Sequence, residues 1–152
     1  MTEFNTNALE RVTIEALERT AFVLVDPCDP EDTAPPTHFA QIRFTGPRDG
    51  SITVSASEGF LRELASSLLG IESDEIEIET EGLDAIRELA NILGGSVLND
   101  IGGQDSEFSL GLPELVDGDS GEPGLVCCFD CEGESLSVTC RGVGSESQAK
   151  AA

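Results

Sequence analysis

The stretch GLDAIRELANILGGSVLND, residues 82–100, decides how the rest of this chain is read. Wound at about 100° per residue, Leu83, Ile86, Ala90, Leu93 and Val97 make one apolar stripe, the face a helix buries. Asp84, Glu88, Asn91, Gly95 and Asn99 fall on roughly the opposite side. Glu88 and Asn91, three apart, therefore project together from one turn. Gly95 lies on the same face one turn on. There it costs about 1 kcal/mol relative to Ala and lets another backbone come close. The spacing predicts one helix, capped by Thr80, running to about Asn99 and broken by Gly102-Gly103.

Upstream, Phe39–Thr45 and Ser51–Ala56 alternate as two strands, and Gly46-Pro47-Arg48-Asp49-Gly50 joins them as a hairpin. Ser57 caps a helix running to Leu69, with Phe60, Leu61, Leu64, Ala65 and Leu68 inward and Gly70 stopping it. Leu9, Val12, Ala16, Leu17, Thr20 and Leu24 recur at helical spacing, so a helix is expected over about 6–25, ended by Pro27. Asp26–Thr37, with four prolines and four acids, reads as a loop. Ile71–Thr80 suits either a strand or the approach to a helix. Downstream, Glu107–Leu112, Gly124–Cys131 and Leu136–Arg141 read as strands, the last two joined by Glu132–Ser135. Strands grouped in hairpins, rather than alternating singly with helices, predict an α+β fold: an antiparallel sheet with long helices on one face. One domain is expected over 1–142 and a disordered tail over 143–152.

The charge narrows the partners. Eight Lys and Arg stand against 30 Asp and Glu, a formal charge of -22. Such a field repels phosphate backbones and anionic lipid, which argues against nucleic acid and membrane surfaces as partners. Seven Phe without Tyr or Trp leave little for stacking bases. Met1–Asn7 has no basic, apolar leader pattern, and no run reaches the roughly 18 apolar residues of a membrane helix, so a cytoplasmic location is expected. Five cysteines, an odd number, fit a secreted disulfide framework poorly.

The polar face of the central helix is the candidate site. An Asn side chain does not titrate, but it donates through NH2 and accepts through C=O, so it can hold one water in one orientation. Such positioning counts when the electrophile is already activated, and a Gln amide orients the attacking water in one phosphoryl-transfer template. Glu88 can take a proton or pair with a cation on a partner. No phosphate loop, metal cage or nucleophile–base pair stands out elsewhere, so chemistry on this face would complete a site supplied by another molecule. Spacing alone fits a solvated face as well. Of the other candidates, Cys127 and Cys131 share one strand face and Cys128 the other, which suits packing better than zinc. Cys140 is placed to neighbour one of them, and Cys28 stands apart in the acidic loop. His38 reads as a strand-edge residue. Asp117–Glu122 lacks the ligand spacing of an EF-hand and reads as a turn.

The pattern Asp84-x3-Glu88-x2-Asn91, followed after 21 residues by Pro113, resembles the CheC/CheX/FliY family of chemotaxis phosphatases, in its CheX-like branch. Gly50–Ser57 and the helix after it resemble the family's strand-then-helix block. The N-terminal helix carries Asn5, Asn7 and Glu10 but no second Glu-x-x-Asn pair, which favours CheX over CheC. The resemblance spans roughly 6–142 and is sharpest over 50–98. It implies hydrolysis of the aspartyl phosphate of a CheY-like response-regulator receiver. Asn91 would orient the attacking water, Glu88 would contact the receiver lysine, and Asp84 and Gly95 would support them. Mg2+ is expected on the partner receiver and no cofactor on this chain. A homodimer through the sheet is also implied. The alternative is a non-catalytic module of the same fold that binds a receiver or another signalling partner.

Overall fold

The computed structural model describes residues 4–102 and 107–143. In chain order the elements are α1 (Thr6–Ala21), β1 (Asp26–Pro27), β2 (His38–Thr45), β3 (Gly50–Ala56), α2 (Glu58–Leu69), α3 (Leu83–Gly102), β4 (Ser109–Leu110), β5 (Glu114–Val116), β6 (Leu125–Cys131) and β7 (Glu134–Arg141). The seven strands form one sheet in the order β1-β6-β7-β3-β2-β4, and β5 also pairs with β2. Every pairing is antiparallel. This is the α+β architecture expected from the hairpin grouping.

Alternation sorts the sheet into two faces. Ala40, Ile42 and Phe44 of β2, Ile52, Val54 and Ala56 of β3, Leu125, Cys127 and Phe129 of β6, and Leu136, Val138 and Cys140 of β7 are buried in the core beneath the helices. Gln41, Arg43, Ser51, Thr53, Ser55, Ser137 and Thr139 point the other way, a mostly polar face that also carries Phe39, Val126 and Cys128. The helices contribute Leu9, Val12, Ala16 and Leu17 (α1), Phe60, Leu61, Leu64 and Ala65 (α2), and Ile86, Leu89, Ala90, Leu93 and Val97 (α3). Val143, expected in the tail, packs into this core; residues 144–152, like Gly103, lie outside the described residues.

Several boundaries move. α1 stops at Ala21 rather than near residue 25. Phe22 adopts φ 56°, and the Phe22 and Val23 N–H groups both reach back to Leu17 O, the latter at 3.2 Å, as the helix ends through a left-handed residue. Beyond it the period changes from helical to two: Val23 and Val25 are buried while Phe22 and Leu24 are 84% and 71% exposed. Pro27 does not end a helix; it sits in β1 opposite Phe129. Cys28 N–H donates to Cys128 O at 3.1 Å, so the register puts Pro27 at the position between ladder hydrogen bonds, on an edge strand where its missing N–H costs nothing.

The acidic loop that follows is anchored. Ala34 N–H donates to Gly133 O and Thr37 N–H to Ala56 O, so it is strapped across the strand ends from β6 to β3. Ile71–Thr80 forms no strand; a turn at Ser73–Glu75 leads to a wide helical turn, Ile78–Gly82, that feeds α3. The strand expected over 107–112 shrinks to Ser109–Leu110, and β5 is an additional strand on β2. The β6–β7 turn is only Glu132-Gly133, both at positive φ (52° and 87°), the twist a two-residue hairpin loop demands.

Candidate functional site

α3 is held along its inward side and open along the other. Leu89, Ala90 and Leu93 have no exposure, and the helix lies across β2 and β3. Its start is fixed by Glu81 rather than by Thr80, the expected cap. The Glu81 carboxylate accepts from Glu77 N–H and from the Thr80 hydroxyl, both at 2.8 Å. These bonds, the backbone one first, hold the Glu81 carboxyl below its ordinary range. At the far end Arg11 of α1 reaches Asp100 at 3.0 Å.

Glu88, Asn91, Gly95 and Asn99 all lie exposed on the outward side, as the helical spacing predicts. Among the described residues, neither the Glu88 nor the Asn91 side chain makes a hydrogen bond or ion pair. Asp84 is exposed as well, but it is engaged: its carboxylate accepts from Arg87 at 2.6 Å. It is the second residue of α3 and does not cap the helix. A Cβ on Gly95 would meet nothing within 4 Å, so the space there is free for another molecule. The close approach inside the chain belongs to Gly94, whose Cβ would stand 2.9 Å from Leu110 Cδ1 and 3.1 Å from Ile42 Cγ2. Helical spacing puts Gly94 beside the apolar stripe, next to Leu93, but the contact that makes it tight comes from Leu110 of β4, which spacing does not show. Pro113 lies off α3, in the link between β4 and β5.

Chemically, the Glu88–Asn91 turn of this face offers one carboxylate and one carboxamide on a braced backbone, flanked by the Arg87-bound Asp84 and by Asn99, with no nucleophile between them. Among the described residues no three His, Cys, Asp or Glu converge as a metal cage. The face can orient a water and receive a cation, and the electrophile must come from outside.

The remaining candidates separate from it. His38 begins β2 and pairs with Ala56 of β3, while the β5 ladder on the other side starts at Phe39; its ring meets the Thr37 hydroxyl at 2.7 Å and Glu79 at 3.5 Å. Asp119 receives Arg141 through both carboxylate oxygens at 2.9 Å, and Glu122 O accepts from Arg141 Nε, so the Asp117–Glu122 turn covers a buried guanidinium. Cys127 is buried with its thiol on Thr6 O, and burial pushes its pKa up to about 12. Cys140 lies opposite Leu125 and Ile52. Cys28, expected to stand apart, is brought against Cys128 by β1.

A family model described as chemotaxis phosphatase CheX matches residues 39–129, the stretch from β2 through β6 that contains α3. A comparison with curated proteins returns no match. Among solved structures, the chemotaxis protein CheX from Vibrio vulnificus is similar with a TM-score of 0.70 at 18% identity, over 88% of this chain and 93% of that one. CheX from Desulfovibrio desulfuricans gives 0.68 at 20% identity, over 87% and 94%. A chain of the CheX-CheY-BeF3-Mg2+ complex from Borrelia burgdorferi gives 0.67 at 14% identity, over 95% and 100%. At these identities the structures establish a shared fold, and the family match, over more than half of the 152 residues, establishes membership. The chain belongs to the CheX family of chemotaxis phosphatases.

Proposed function

We propose that this protein hydrolyses the aspartyl phosphate of a CheY-like response-regulator receiver, with Asn91 and Glu88 as its contribution to the shared site. The observation that carries the reading is that both side chains are exposed and unengaged among the described residues, on one face of a helix whose opposite face is locked into the core. A pair serving the fold would be tied to its neighbours, as Asp84 is to Arg87. The family and the CheX-CheY complex of the Borrelia relative support a receiver as the partner.

In this reading the Asn91 amide enters the receiver site and orients a water for in-line attack on phosphorus. The helix backbone holds the amide in place, so little orientational freedom is lost at the moment of reaction. Glu88 contacts the receiver lysine. Gly95 leaves room for the receiver surface one turn further on, and Asp84, through Arg87, steadies the first turn. Magnesium sits on the receiver and neutralises phosphoryl charge there; no residue of this chain is assigned to it. A homodimer through the polar sheet surface leaves this face free, and a solution mass of twice the 16.0 kDa chain would support it.

The test is the decay of aspartyl phosphate on candidate receivers with and without the protein. Acceleration by the native chain, reduced about 100-fold in Asn91→Ala, with Glu88→Gln weakening receiver binding, supports the assignment. Binding to phosphorylated receivers without acceleration of any of them would replace it with the non-catalytic module.

A further inference from the structure

Cys28 and Cys128 face each other directly across the β1–β6 ladder, and we infer that they are a redox-modification site, closing to an intramolecular disulfide under peroxide. The pairing follows from register. Asp26 opposes Asp130 and Pro27 opposes Phe129, so Cys28 is the next partner of Cys128, and its N–H donates to Cys128 O at 3.1 Å. Directly opposed residues joined this way have Cα atoms about 5.5 Å apart with side chains on the same face. Disulfides span about 4.4–6.8 Å between Cα atoms. Neither cysteine is bridged and both are half-buried, within reach of a small neutral oxidant; the Cys128 sulfur accepts from the Ser137 hydroxyl at 3.4 Å and turns from it to meet Cys28 on closure.

No other cysteine pair fits. Cys127 and Cys140 share the inner face but are offset by two along the β6–β7 ladder. That diagonal is about 7–8 Å, beyond a relaxed disulfide. Cys131 opposes Glu134.

The chemistry balances with hydrogen peroxide as oxidant. One thiolate attacks a peroxide oxygen, the O–O bond breaks, and the departing hydroxide takes up a proton to become water. The resulting sulfenic sulfur is attacked by the facing thiolate, the S–O bond breaks, and a second water leaves. Two S–H groups and one peroxide become one S–S bond and two waters. Burial, then Cys128, Asp130, Asp32 and Asp29, in that order, disfavour the Cys28 thiolate, so closure speeds up as pH rises. This site does not depend on the phosphatase reading.

The test treats the reduced folded chain with hydrogen peroxide and maps the products by intact mass and peptide linkage. The expected result is a loss of about 2 Da without dimerisation, a Cys28–Cys128 linked peptide, and reversal by dithiothreitol. Because the closed loop holds about 100 residues, the melting temperature should also rise by about 10–20 °C. Cys28→Ser and Cys128→Ser should each abolish the link and the shift, while Cys131→Ser keeps both. A folded chain that resists peroxide while its urea-unfolded form oxidises would overturn the inference. So would a link at any other pair, a link between chains, or stable sulfinic acid at Cys28 with no link.

Discussion

Gly94 and Gly95 are neighbours in α3 with opposite surroundings. A methyl at Gly94 would press on the end of Leu110 and on Ile42, and Gly94→Ala should lower unfolding free energy by about 1–3 kcal/mol. A methyl at Gly95 meets open space and removes the backbone freedom of glycine, so Gly95→Ala should raise it by up to about 1 kcal/mol. Urea unfolding of the two variants checks both signs. If the outward face docks a receiver, the more stable Gly95→Ala chain should also be the poorer phosphatase. Spacing alone marks Gly95 as the position of close approach because it sees the helix and not its neighbours. What distinguishes the two residues is the position of β4, a strand of two residues that no periodicity reveals. The exposure of Glu88 and Asn91 was readable because it depends only on facing away from the apolar stripe.

At the level of the element, strength of pattern governs what a sequence discloses. β2, β3, β6 and β7, at seven or eight residues each, declare themselves by alternation. β1 and β5 do not, because two or three residues fit any period. The end of α1 is hidden for a related reason: Leu24 keeps helical spacing from Leu17 and Thr20 although the chain has already turned through Phe22. Helix starts are equally dependent on local chemistry. The expected Thr80 cap gives way to Glu81, whose carboxylate closes the turn before α3. Since the folded state holds this carboxyl below its ordinary pKa, it binds fewer protons there than in the unfolded chain. Its contribution is therefore complete at neutral pH and is lost as pH falls through the depressed value. The stability difference between the native chain and Glu81→Gln should shrink as pH is lowered from about 6 to about 3, measured by thermal unfolding.

For the whole molecule, charge sets the conditions under which the fold is comfortable. Against a net charge of -22, the fixed-charge ion pairs among the described residues are Arg11 with Glu15 and Asp100, Arg87 with Asp84, and Arg141 with Asp119. Repulsion dominates, and salt that shortens the screening length from about 10 Å at 0.1 M to about 3 Å at 1 M weakens it. The melting temperature should rise steadily with sodium chloride over that range, and a fall would mean that attractive pairs dominate. Receiver association should accelerate over the same range if the receiver is itself acidic.

The sheet order carries a consequence for how the chain is made. β7, the most C-terminal strand described, lies between β3 and β6, and β1 pairs with β6, about a hundred residues further along. A ribosome adding about 5–20 residues per second leaves β1 waiting for roughly 5–20 s. During that time the β2–β3 hairpin can close and α3 can settle on it with α1 alongside, but no ladder yet joins β1 to this half. The two halves become one sheet only when β7 slots between them, so a nascent chain that stalls after Cys131 and before Arg141 exposes the edges of both β3 and β6 to whatever quality control the cell provides.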